Sequence, residues 1–214
     1  MNPKIYSAYL SLLEKHGNPT DLWPQWCAQE KDEPLRQLVA IGAILVQRTS
    51  WRNADLALRK LKTANLLSFE SLASEISPVE LADHVKSAGF HQTKPKRLIA
   101  LAEYIGENYQ TLSQMKETRE IETLREQLLQ VYGIGPETAD TILLYALDMP
   151  SFVIDEYTRR WLEKTGLTDR DLPYDEIKTW FEDSLPPDVG IYQNYHILVM
   201  VDQKGREASV MEVV

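Results

Sequence analysis

The chain has 214 residues, 43% of them hydrophobic, and a net charge of −9. That length suits one large unit or two small lobes, and the acidic balance argues against indiscriminate binding to nucleic acid. A single cysteine, Cys27, excludes internal disulfides and any four-cysteine metal or iron–sulfur site. No stretch approaches the ~20 apolar residues needed to span a bilayer. Residues 1–17 carry charges inside an apolar pattern and no small-residue cleavage site, so they read as a mature amphipathic helix, and a cytoplasmic location is expected.

Leu35 to Val46 is almost continuously apolar and predicts a buried helix. The run AIGAILVQRTSWRNADLALRKL (40–61) turns polar at Gln47-Arg48-Thr49 and brings in Trp51. Ser77-Pro78-Val79-Glu80 supplies an N-cap, a first-turn proline and a glutamate at the third position, with Gly89 expected to close that helix. Thr93 is expected to cap the next, in AGFHQTKPKRLIALAEYI (88–105), with Leu98, Leu101, Ala102 and Ile105 on one face. A helix from Ile121 to Val131 enters Gly133-Ile134-Gly135, too glycine-rich to continue it. Pro136 suits the first position of the following helix, which runs to Leu147, and Glu137 falls in its first turn, where the dipole favours it. The free N–H groups of Gly135 and this helix start form an anion site, most naturally for a phosphate. Met149-Pro150 stops the helix. Phe152-Val153-Ile154 then leads to Asp155, which opens a helix ended by Gly166. Tyr174 to Ser184 and Ile191 to Lys204 are the last two predicted helices. No alternating strand, repeat or low-complexity tract is evident. On its own, Asp155 fits an N-cap and Glu137 a solvated, dipole-compensating residue.

Taken together, the hairpin, the Pro-x-Phe-Val-x-Asp turn, the following Arg pair, the Gln-x-Thr helix end and the Gly-Phe-x-x-x-Lys-x-x-Arg-Leu segment resemble the helix-hairpin-helix, Gly/Pro-rich-loop and Asp signature of the endonuclease III superfamily of DNA glycosylases. Roughly residues 35–204 follow it. The resemblance implies an all-α fold with two lobes, a six-helix barrel over 35–135 and a second helical lobe from 1–34 and 136–214. Double-stranded DNA containing a damaged base would enter the cleft between them. A monomer and no membrane are expected.

The same resemblance assigns roles. Asp155 would face the sugar of a flipped-out nucleotide, stabilise an oxocarbenium-like sugar and orient water. Bifunctional members carry a lysine eighteen residues ahead of that Asp; here the position is Glu137, which cannot form an imine. A monofunctional enzyme is therefore expected, suited to a leaving group that is already cationic, such as 3-methyladenine. Trp23-Pro24 and Trp51 resemble base-pocket positions of the iron–sulfur-free 3-methyladenine subfamily, with Trp26 a weaker candidate. His196 and Lys204 keep the spacing of its last helix, making Lys204 a residue near the pocket. Gln47 would fill the place the base has left. Arg48, Gly133, Gly135, Glu137 and Thr138 would meet DNA. Backbone carbonyls of Leu129, Val131 and Ile134 would be able to hold Na⁺ or K⁺, with no other cofactor. The alternatives are a glycosylase for oxidised or mismatched pyrimidines, or a non-catalytic DNA-structure binding module. A local basic face is expected from Arg48, Arg52, Lys94, Lys96, Arg97, Arg159, Arg160 and Lys204, with acidic residues gathered at 30–33, 169–176 and 182–188.

Overall fold

The computed structural model describes residues 3–28, 30–118, 120–168 and 172–210, and every regular element among them is helical. Residues 1–2 of the predicted first helix, and 169–171 of the acidic run, lie outside the described residues. In chain order the α-helices are α1 (Pro3–His16), α2 (Glu33–Leu45), α3 (Trp51–Thr63), α4 (Phe69–Ser74), α5 (Pro78–His84), α6 (Lys94–Asn108), α7 (Leu112–Thr118), α8 (Ile121–Gln130), α9 (Pro136–Thr141), α10 (Glu156–Thr165), α11 (Tyr174–Glu182) and α12 (Val189–Lys204).

Short side chains start many of these helices. Asp32, Ser50, Ser68, Asp155 and Asp188 each accept a backbone N–H of the first turn, worth about 1 kcal/mol apiece. Ser77 and Glu80 make the expected reciprocal capping box. α5 ends earlier than predicted, at His84. A tight 3-10 turn, Lys86–Ala88, separates it from Gly89 at φ 73°. Thr93 does not cap α6: its backbone is already helical and its hydroxyl makes no cap bond.

α2 is buried from Leu38 to Leu45 and packs against α3, α6 and the end of the hairpin. Gly42 lets two indoles reach it, since a Cβ there would lie 3.1 Å from Trp26 and 3.6 Å from Trp51. α4 packs on α6, and α12 packs on α1 and α10. After α9 the chain widens into a π turn, Ile142–Ala146, all of it buried, with Leu147 N–H donating to the Ile142 carbonyl. Such turns displace side chains from the regular helical face; here Tyr145 is carried toward α12. Asp148, at φ 51°, closes the turn by accepting from Lys31 Nζ (2.5 Å) and Arg36 Nη1 (2.7 Å), which ties the start of α2 to the hairpin helix. The buried apolar side chains form one connected cluster from Ile5 to Val201.

Candidate active site

The turn between α8 and α9 is built around Gly133, whose φ of 82° disfavours an L side chain. Space excludes one as well, because a Cβ would lie 2.3 Å from Arg97 Cγ. Arg97 donates to Gln47 Oε1, and Gln47 Nε2 donates to the Gly133 carbonyl (3.2 Å) and Thr138 Oγ1 (2.8 Å). Gln47 and buried Thr138 are thus occupied in joining the α2–α3 turn to the hairpin. Gly135 differs: nothing lies within 4 Å of its would-be Cβ, so its outer face is open to another molecule. Among the hairpin carbonyls, that of Val131 accepts the Ile134 N–H (3.1 Å).

Asp155 ends a loop fastened at successive points. Ser151 Oγ donates to buried Asp140 (2.6 Å), Phe152 N–H to Glu182 (2.8 Å) and Ile154 N–H to the Tyr174 hydroxyl (3.3 Å). Phe152 also stacks on Phe181 at 4.3 Å. Asp140 is gripped in turn by Arg125 through two hydrogen bonds. The carboxylate of Asp155 is then fixed by its own helix, with Oδ1 accepting from Thr158 N–H (2.7 Å) and Thr158 Oγ1 (2.9 Å). Its Oδ2 faces His196 Nε2 at 3.3 Å. Burial would raise this carboxyl, but His196 and the Thr158 donors outweigh it and hold Asp155 below the ordinary carboxylate range. Glu137, on the facing helix, moves the other way. Surrounding protein, then the Asp155 charge, push it up to about 7; it keeps contact with water, which screens part of that repulsion.

Beside Asp155 lies a cluster of rings. Trp26 stands edge-on to Trp51 (5.3 Å) and Trp23 (5.9 Å), and Tyr145 packs against Trp23, Trp26 and His196. Trp23 Nε1 donates to the Ser209 carbonyl (2.8 Å), whereas the buried Nε1 atoms of Trp26 and Trp51 have no partner. Trp51 keeps solvent contact. Trp26, weighed as the weaker pocket residue, therefore occupies the space between the two stronger ones. Open grooves of about 330, 470 and 430 Å³ lie elsewhere, on α6–α7, α11 and α3, and share no lining residue with this cluster.

Other expected residues spread more widely. Lys204 is exposed, with its ammonium 4.0 Å from the ring centre of Tyr157 in the first turn of α10. Lys94 does not join a basic surface. It is fully buried and donates to the carbonyls of Leu45 and Ala88 (2.7 Å each), satisfying chain ends that would otherwise lack donors. Arg48, Arg52 and Lys96 are exposed; Arg97 is half-buried against the hairpin. The sequence reading missed Tyr145 and gave His196 no role beyond spacing. A polar atom inside the apolar runs ILLYAL and HILVMV is the signal that could have found them, since such atoms seek partners. It also missed Phe90, which is 52% exposed at φ 47° beneath the Arg48 guanidinium. Among the described residues no group of His, Cys, Asp or Glu side chains could hold a metal ion.

Comparison with known proteins places this geometry. A family model described as HhH-GPD superfamily base excision DNA repair protein matches residues 41–187. The chain is 41% identical over 197 residues to a Methanocaldococcus jannaschii protein provisionally named a DNA repair glycosylase, covering 92% of this chain and 85% of that one. The fold matches the crystal structure of an H. pylori 3-methyladenine DNA glycosylase bound to 1,N6-ethenoadenine, with a TM-score of 0.74, 27% identity and coverage of 94% and 96%. A non-covalent endonuclease III–DNA complex shares the fold at a TM-score of 0.67 and 15% identity, with 92% and 84% covered.

Proposed function

This chain belongs to the HhH-GPD superfamily of base excision DNA repair proteins, and from that premise we propose that it is a monofunctional DNA glycosylase acting on alkylated purines of the 3-methyladenine kind in duplex DNA. The observation that carries this reading is Asp155, held ionised at the edge of an aromatic cluster with a glutamate, not an amine, across from it. A cationic purine leaves as a neutral base, taking the glycosidic electron pair, and needs no proton from the enzyme. Asp155 stabilises the positive charge that develops on the sugar and orients the water that attacks C1′. Trp51, which keeps solvent contact, offers its ring to the flipped cation, with buried Trp26 and Trp23 packed behind it. The 41% identical repair glycosylase and the 3-methyladenine enzyme of like fold support the assignment.

DNA would lie in a cleft between a lobe spanning 35–135 and one formed by 1–34 and 136–214. Gly133, Gly135, Glu137 and Arg48 would border its backbone, with Gly135 leaving room for a phosphate to approach. Backbone oxygens suit a hard monovalent cation. The Val131 carbonyl keeps a second lone pair beyond its bond to Ile134, and with the carbonyls of Leu129 and Ile134 it would hold Na⁺ or K⁺, which would supply positive charge near DNA. Gln47 would have to give up its bonds to the hairpin to wedge into the duplex. Phe90, already exposed beneath Arg48, is the better side chain to fill the vacated stack.

The test is single-turnover release from duplex DNA containing 3-methyladenine, with borohydride added in a parallel reaction. Free base is expected, an unnicked abasic strand and no trapped protein–DNA adduct. Release of oxidised pyrimidines alone, or a robust adduct, would overturn the reading. Trp51→Ala should cost roughly 1–3 kcal/mol of stacking. The loss should be larger for 3-methyladenine than for neutral hypoxanthine, because only the cation gains the quadrupole attraction. Equal losses would make Trp51 ordinary packing.

A further inference from the structure

His196 interrupts an apolar stretch of α12, and its ring stands edge-on to Trp23 at 5.6 Å. Both of its nitrogens face polar atoms. Nδ1 is 2.7 Å from the Tyr145 hydroxyl. Nε2 is 3.3 Å from Asp155 Oδ2, at an angle short of a formed hydrogen bond, and has no other partner. A neutral imidazole has one donor and one acceptor, and the hydrogen bond at one nitrogen decides which is which. Were the proton on Nδ1, the Nε2 lone pair would point at a carboxylate. Were it on Nε2, Tyr145 would donate to Nδ1 and Nε2–H would point at Oδ2. Of the two neutral forms, only the second sets a donor against an acceptor at both nitrogens.

From this geometry we infer that Tyr145 and Asp155 between them hold a proton on His196 Nε2 and that the imidazole acts as a positioning residue for Asp155. The inference rests on the reading that Asp155 works on the sugar. Thr158 holds Oδ1 and His196 steadies Oδ2, so the carboxylate is aimed from both sides. Tyr145 is fully buried and its hydroxyl is pushed well above 10 by that burial, so it remains a proton donor across the working range.

The groups facing this histidine are Asp155 at the start of α10, Glu137 on α9 and Tyr145 on the π turn, with Cys27 behind Tyr145 and Arg159 beyond Glu137. From α1, Lys15 and His16 engage Asp202 instead.

Two measurements test this. Nitrogen-15 NMR of the histidines in the free protein reads the tautomer directly, with the His196 signal assigned by its loss in His196→Gln. Protonated Nε2 is expected, and an unprotonated Nε2 would overturn the inference whatever the enzyme's substrate. The second is the rate of single-turnover release. His196→Gln, whose amide can donate to Oδ2, should keep most of that rate. His196→Leu should lose roughly 10–100-fold, the range for removing a partner that orients a reacting group. A wild-type rate in His196→Leu, alongside an inactive Asp155→Asn, would sink the positioning role and leave Asp155 catalytic. An active Asp155→Asn would instead remove the reading beneath it.

Discussion

Replacing Asp155 by Asn slows single-turnover base release by roughly 10²-fold or more, the range for removing one charged contact made in the transition state. The substitution is nearly isosteric, and asparagine caps helices about as well as aspartate. Thr158 N–H and Oγ1 therefore keep an oxygen partner at the start of α10. What disappears is the negative charge. The folded protein holds this carboxyl below its ordinary value, so its ionised form stabilises the fold fully above the unfolded value, near pH 4. That contribution is lost as pH falls through the folded value. The variant should therefore melt below wild type at neutral pH while staying folded, show a flatter acid dependence, and lose its chemistry. Rate measurements with circular dichroism melts decide the matter. Near wild-type release from a well-folded Asp155→Asn would remove Asp155 from the reaction.

Much of this site was legible because it is local. Gly133, Pro136 and the apolar loop before Asp155 are set by backbone conformation and helix-end chemistry over a few residues, and they stand where the sequence put them. The interior of the site was not legible in the same way. Tyr145 and His196 are 51 residues apart and meet only because the π turn and α12 pack together. Nothing in the spacing of Trp23 and Trp51 reveals that Trp26 lies between them; that follows from Gly42 opening space on α2. Lys94 misled for a related reason. Lysine is ordinarily exposed, but the carbonyls at the end of α2 and of the 3-10 turn after α5 needed a donor that could reach both. The short helices α4 and α7 fall below the window in which periodicity speaks, and they escaped notice.

The support beneath Asp155 is tested by Asp140→Ala, which should destabilise the protein by about 3 kcal/mol. Asp140 is fully buried and receives two hydrogen bonds from Arg125 and one from Ser151 Oγ at 2.6 Å. Removing one partner of a buried pair typically costs about 3–5 kcal/mol, because the other charge is left without compensation. Arg125 retains 19% side-chain exposure and a second partner, Asp175, itself 67% exposed, so the lower end applies. For a chain of this size that is a fall in Tm of roughly 6–12 °C. Asp140→Asn keeps an acceptor for Ser151 and should lose less. Removing both charges, with Asp140→Leu and Arg125→Met together, should recover much of the stability, since an apolar pair of similar volume often matches a buried ion pair. The Ala variant should also release base more slowly even when fully folded, because Ser151 starts the loop that aims Asp155. An Asp140→Ala protein that melts within about 1 kcal/mol of wild type, a change ordinary for any single substitution, would show that Phe152 and its stack on Phe181 hold the loop without help. One that is destabilised yet releases base at the full rate would confine Asp140 to holding α8, α9 and α11 together, with no part in placing the carboxylate.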